Sequence, residues 1–362
     1  MEDGNLGDLT TKEITLSVPS QQSSMDSSTG DMPLTIISIV FWVLFGFGIM
    51  GMIGNILTIL VFLRLGFSQT IHVSYVALAI FDLLTIVGIM WFSICFTPII
   101  ELLFKPFSVT ADIFSFVHFT AAWPHFAFSR SSALITAWIS FERCLCVVFP
   151  TKIKLIITRA VTSVVLIVIC IIGCGFIVFA YIGIKSEWRP DPLRNESKLF
   201  LFLNDGNELS LLNRFAYALY GAVYPVFSWV AVAVSTTFLI SKLRQSAAWR
   251  KQTLAHLPNL VNGRACPSFN QQQVSAKTQR VTKTVVIVAV IFIITSLPLS
   301  VHLFLSFLVR EFSSTGSLRH YFFLSGTFLL LLSELNSSIN VIVFAVMGAK
   351  FRSALWQLLT GK

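Results

Sequence analysis

The side chains able to do chemistry in this chain are set inside apolar sequence. Glu142 and Arg143 close a long apolar segment that starts at Trp123, and Pro150 follows seven residues after the arginine. Asp82, Arg130 and Glu334 each stand in a hydrophobic run, as do the amides Asn55, Asn336 and Asn340 and the hydroxyls Ser132 and Ser337. A charge surrounded by hydrocarbon is unfavourable unless a counter-charge, an ion or a set of donors meets it. The chemistry on offer is therefore ion pairing, ion binding and ligand recognition. An acid beside an arginine is a two-position device, in which the arginine rests on its neighbour until another group draws it away. No nucleophile–base pair and no Cys/His metal spacing stands in these runs, so the chain reads as a binding protein and not an enzyme.

Composition says what must position these residues. The 362-residue chain is 55% hydrophobic and 12% charged, more apolar than a water-facing protein of this size sustains. Seven apolar runs lie near 33–63, 71–97, 115–148, 158–184, 212–243, 281–309 and 318–348. Each reaches the roughly 20 residues that cross a bilayer. The sequence thus predicts an all-α membrane protein: a seven-transmembrane helix bundle over 33–348 with a short C-terminal amphipathic helix at 349–362. The first run lacks a basic leader and is read as a retained span. Residues 1–32 are polar and rich in Ser and Thr, the composition of a disordered extracellular tail.

Charge sets the orientation. Lys152, Lys154 and Arg159 lie between runs three and four, a basic cluster from Lys242 to Lys283 lies between five and six, and Lys350, Arg352 and Lys362 follow seven. Glu142 is the one acid on that side, whereas the N-terminal tail carries Glu2, Asp3, Asp8, Glu13, Asp26 and Asp31. The positive-inside bias places the N-terminus outside, in a multi-pass plasma-membrane protein with lipid as its solvent. It also accounts for the net charge of +9 without nucleic acid as a partner.

Two connections are long. The outer one, 185–211, holds Arg189-Pro190-Asp191-Pro192, the turn-like Asn204-Asp205-Gly206 and the sequon Asn195-Glu196-Ser197, which makes Asn195 a candidate glycosylation site. It has no cysteine, so no disulfide is expected there. The inner connection, 244–276, is polar, carries Gln271-Gln272-Gln273 and is expected to be mobile. No internal repeat is visible. That weighs against the alternative reading, a transporter or channel using Asp82, Arg130 and Glu334 as a polar path.

Helical phase sorts the polar residues. At about 100° per residue, His125, Ser132 and Arg143 fall nearly in line on the third run, and Arg130 points to a different neighbour. Arg130 there is either an anchor for backbone carbonyls or a contact for an acidic ligand group. On the seventh run Asn336, Ser337 and Asn340 share a stripe that a buried Asp82 would find useful.

These residues together resemble the rhodopsin-like (class A) G-protein-coupled receptors. Gly54-Asn55 is similar to the family's first-span pair, and Leu78-Ala79-Ile80-Phe81-Asp82 to its second-span motif. Glu142-Arg143-Cys144 with Pro150 resembles the third-span acid–arginine motif. Pro225, Phe292 and Pro298 take the fifth- and sixth-span positions, and Asn336-Ser337-Ser338-Ile339-Asn340 the start of the seventh-span motif. The resemblance implies that Arg143 leaves Glu142 on activation to meet a heterotrimeric G-protein, with Phe292, Pro298 and Asn340 as parts of the switch. It implies an allosteric sodium ion at Asp82, Ser132, Asn336, Ser337 and Asn340, and no other cofactor. It puts His125 and Glu334 in the region that binds an extracellular small molecule or peptide, and Arg130 joins them as the candidate contact for an acidic ligand group.

The departures from the family pattern are informative. Cys144 replaces a tyrosine, Thr295-Ser296-Leu297-Pro298 replaces a motif containing tryptophan, and Val341 and Phe344 replace a proline and a tyrosine. His118 stands where the family's span-three disulfide cysteine is expected. His125 replaces the aspartate of amine receptors, and Glu334 the lysine that holds retinal. What remains resembles a divergent receptor of the invertebrate chemosensory or neuropeptide kind.

Overall fold

The structure is a computed structural model that describes residues 34–67, 69–95, 116–149, 153–182, 184–191, 196–203, 207–255, 268–309, 311–312 and 317–361. The chain divides into two units, Met1–Ile37 and Ser38–Lys362, and the second contains the helical bundle. Among the described residues, seven helices are long and apolar enough to cross a membrane. In chain order, spans one to seven are Ile39–Leu65, Thr70–Cys95, Phe119–Val148, Arg159–Tyr181, Leu211–Lys242, Val285–Ser306 and Leu324–Val346. Span three packs against spans two, four, five and six and forms the centre of the bundle.

Burial runs opposite to that of a water-soluble fold. Asp82, Glu142 and Glu334 are each 0% exposed, whereas Ile171, Phe227 and Ile294 are more than 60% exposed. Apolar side chains facing outward around a polar interior need a hydrocarbon solvent.

Prolines shape three of the helices. Pro124 and Pro225 each follow a π-helical turn, His118–Ala122 and Leu219–Val223. Proline has no N–H and its ring crowds the carbonyl one turn back; a looser preceding turn relieves that crowding. Pro298 sits inside the helix Ser268–Leu308, where it removes one rung of the hydrogen-bond ladder of span six.

Spans one and seven approach through glycine. A Cβ at Gly51 would stand 2.1 Å from the Ser338 hydroxyl and 2.8 Å from Ile86 Cδ1, and one at Gly54 would stand 2.7 Å from Val341 Cγ1. Gly46 has nothing within 4 Å of its Cβ position. Gly51→Val is therefore expected to destabilise the bundle by about 1–3 kcal/mol, the usual cost of overpacking. Gly46→Val should leave the thermal melting of the purified protein close to wild type.

Three features differ from the sequence expectation. The outer connection folds into two antiparallel strands, β1 (Ile184–Asp191) and β2 (Glu196–Leu203), beside an all-helical bundle. Ile184 pairs with Leu203 and Asp191 with Glu196. Pro190 obscured the strand in the sequence, but a two-stranded ribbon is all edge and tolerates it. The inner connection carries helix that its polar composition did not announce: helices Tyr224–Ala255 and Ser268–Leu308 cover most of 244–276. Lys, Arg, Gln and Ala there favour helix without needing an apolar stripe. Span seven is not continuous but breaks at Ile339, between helices Arg319–Ser338 and Asn340–Met347.

After Gly348, the helix Ala349–Thr360 buries Phe351 and Ala354 in a cluster with Phe62 and Phe344. Arg352 Nη1 donates to the carbonyls of Ala345 (3.1 Å) and Val346 (2.7 Å), satisfying the end of span seven.

Candidate functional site

The inner end of span three is a clamp. Arg143 Nη2 donates to Glu142 Oε1 at 2.7 Å. The Thr70 hydroxyl donates to the same oxygen, and Ser74 Oγ to Oε2 at 3.3 Å. Thr70 and Ser74 are one turn apart at the start of span two, so they face the acid as a pair. The carboxylate therefore has three donors, and a cation that departs leaves it still hydrogen-bonded. Arg143 retains a buried Nε with no partner. Pro150, the last element of this motif, lies outside the described residues.

Asp82 lies midway along span two. Ser132 Oγ donates to Oδ1 at 2.6 Å and Asn340 Nδ2 to Oδ2 at 2.7 Å, and Ser337 faces the same carboxylate. Asn55 Nδ2 donates to the Gly51 carbonyl at 2.9 Å and to the Ser337 carbonyl at 2.8 Å, which joins span one to the same knot. Asn336, grouped with this set from the sequence, is elsewhere. Its Oδ1 accepts from Thr295 Oγ1 at 3.0 Å on span six. Adjacent helical residues point about 100° apart, so Ser337 cannot face span two while Asn336 faces it as well.

Span six is tied on two sides below Pro298. Thr295 holds Asn336, and Ser296 Oγ accepts from Trp229 Nε1 of span five at 3.1 Å. Ser296 also donates to the Phe292 carbonyl of its own helix, and Thr295 shares its single hydroxyl proton between Asn336 and the Ile291 carbonyl, a pattern that bends helices. Phe292 is buried one turn lower, among Ala133, Ala137 and Val232.

At the other end, His125, Arg130 and Glu334 do not meet. His125 Nδ1 lies 3.3 Å from the Thr85 carbonyl oxygen. It lines a small cavity of about 80 Å³ with Gly88, Ile89, Phe92, Ala122, Phe126 and Leu330, between spans two, three and seven. Neither Arg130 nor Glu334 is in that lining. Glu334 faces span one, with Oε1 2.8 Å from the Cβ position of Gly48, and both its oxygens lack a hydrogen-bond partner. Arg130 turns to span five, where Nε donates to the Tyr220 carbonyl at 2.8 Å.

Sequence reasoning missed Thr70, Ser74, Trp229 and the cavity. The spacing of Thr70 and Ser74 at the inner end of span two was a readable signal. Trp229 and the cavity depend on which helices become neighbours. The cysteines Cys95, Cys144, Cys146, Cys170 and Cys174 are free, and the described residues hold no group of three or more His, Cys, Asp or Glu able to bind a metal.

Among curated proteins none matches this chain. The family model described as 7 transmembrane receptor (rhodopsin family) matches residues 54–344. The matched stretch opens on the Gly54-Asn55 pair and takes in the Asp82 knot and the Glu142–Arg143 clamp. Those proteins are receptors in the membrane and not enzymes. With well over half of the sequence matched and seven spanning helices beneath the match, the chain belongs to the rhodopsin family of seven-transmembrane receptors.

Proposed function

We propose that this receptor, with its N-terminus outside the cell, binds a small chemosensory ligand and activates a heterotrimeric G-protein through Arg143. The observation that carries this reading is the clamp at the inner end of span three. Glu142 keeps two hydroxyl donors when its arginine leaves, so Arg143 can be drawn to a partner without stranding a bare buried charge. Thr295, Ser296 and Asn340 would hold the neighbouring spans in the resting arrangement, with Pro298 and Phe292 at the bend.

The cavity beside His125 favours a small molecule over a peptide. It is narrow, set between three spans, and its lining is mostly apolar, as that of small-molecule pockets generally is. Glu334 would act from span one's side of the helix and not as a direct wall of the cavity. A sodium ion fits the Asp82 knot in donor chemistry: Asp82, Ser132 and Ser337 present carboxylate and hydroxyl oxygens, the hard donors such a cation takes. A cation held there would favour whichever arrangement binds it better.

Expression with a panel of Gα reporters and a library of small volatile and water-soluble compounds tests the proposal. A response to at least one compound, through one Gα class, supports it. Silence across the panel with receptor present at the cell surface would overturn it. Orientation has its own check. Asn195 lies outside the described residues, and an outward-facing loop is expected to carry a glycan there. Enzymatic deglycosylation should lower the apparent mass of wild type and leave Asn195→Gln unchanged; no shift in either would argue against this sequon facing outward.

A further inference from the structure

We propose that Arg130 holds a small anion, either chloride or the carboxylate of a bound ligand, between spans three and five. The carboxylate source rests on the proposed receptor function; the chloride source does not.

The first observation is what Arg130 already does. In the π turn Leu219–Val223, the Tyr224 N–H goes back five residues to the Leu219 carbonyl. The donor that would continue this pattern to the Tyr220 carbonyl belongs to residue 225, which is proline and has none. That carbonyl is left without a helical partner inside the membrane. Arg130 Nε fills the gap at 2.8 Å.

The second observation is what remains over. A guanidinium has five N–H donors and keeps its charge at physiological pH. One donor meets Tyr220; Nη2 is buried and has no partner, and the residue is 4% exposed. Little of the charge is open to solvent, and no carboxylate among the described residues balances it. The ion pairs there are Glu142–Arg143 and Glu187–Arg189. Asp82 is committed to Ser132 and Asn340, and Glu334 faces span one. A carbonyl anchor alone would need only one neutral donor, such as a glutamine. A buried full charge with a free N–H calls for an anion. Phe126, in the cavity wall, lies one turn away on the same face of span three. A ligand in that cavity is thus within a side chain's length of the site.

The test uses purified full-length receptor in detergent at constant sodium and ionic strength. Thermal melting is compared in chloride, acetate and isethionate, the last being the bulkiest of the three. Wild type is expected to melt a few degrees higher in chloride or acetate than in isethionate. Arg130→Gln keeps a donor for the Tyr220 carbonyl but no charge, and should lose the anion response; Arg130→Lys should keep it. A response to chloride alone identifies a halide, and a stronger response to acetate identifies a carboxylate site. Equal melting of wild type in all three salts, or an anion response in Arg130→Gln equal to that of wild type, overturns the proposal. If neither variant folds, bromide-soaked crystals of wild type decide it: an anomalous peak beside Arg130 supports the site, and peaks only elsewhere refute it.

Discussion

Arg143→Ala is expected to reach the cell surface and to lose most of its ability to activate a G-protein. The two halves of that result have separate causes. Glu142 is fully buried, and losing an arginine partner normally leaves such an acid stranded at a cost of about 3–5 kcal/mol. Here Thr70 and Ser74 still donate to it, so the inner end of the bundle holds together. Coupling is different, because the proposed contact with the G-protein is made by the guanidinium itself. Removing a charge-assisted hydrogen bond worth about 1.5–3 kcal/mol should lower receptor-driven nucleotide exchange by roughly ten- to a hundredfold. Glu142→Gln acts in the opposite direction. It weakens the hold on Arg143 and should raise basal signalling. Surface labelling and exchange assays on the same cells separate these effects, and an Arg143→Ala receptor with normal coupling would remove the residue from its assigned role.

The second large effect is expected at Asp82. Asp82→Asn keeps an acceptor for Ser132 but places an amide N–H where Asn340 now donates at 2.7 Å. The link to span seven changes from a charge-assisted hydrogen bond to a neutral amide–amide one, and the negative charge that a sodium ion would meet is lost. Allosteric couplings of this kind are worth about 1–3 kcal/mol, a change of roughly 5- to 150-fold. Basal nucleotide exchange of wild type should fall when an organic cation is replaced by sodium, while Asp82→Asn should be indifferent to the replacement. Equal sodium sensitivity in the two proteins would take the ion out of the mechanism. Asn336→Ala separates the two knots: because Asn336 bonds Thr295 and not Asp82, it should alter basal activity while preserving sodium dependence.

The seven spans were legible because hydrocarbon imposes both length and composition on a helix that crosses it. The polar residues inside them were legible for the same reason, since each is a visible exception. Their grouping was legible only in part. Asp82, Ser132, Ser337 and Asn340 come together, but Asn336 does not, because helical phase fixes a direction and not which neighbour stands in that direction. Arg130 shows the limit clearly. The sequence allowed either a carbonyl anchor or a ligand contact, and the orphaned Tyr220 carbonyl exists only because a π turn precedes Pro225. The strand pair β1 and β2 was obscured by Pro190, and the inner extensions of spans five and six carry no apolar period to read. The cavity beside His125 arises from the packing of three separate spans and has no local signature.

The central claim is that the clamp on Glu142 restrains an arginine whose task is to engage a G-protein. It is tested most directly without any ligand, by measuring nucleotide exchange on a panel of purified heterotrimers with Glu142→Gln receptor in lipid nanodiscs. Exchange on at least one Gα class, above that of wild type and abolished by adding Arg143→Ala, is the expected result. No acceleration on any heterotrimer by folded Glu142→Gln receptor, or acceleration that survives Arg143→Ala, would contradict the claim.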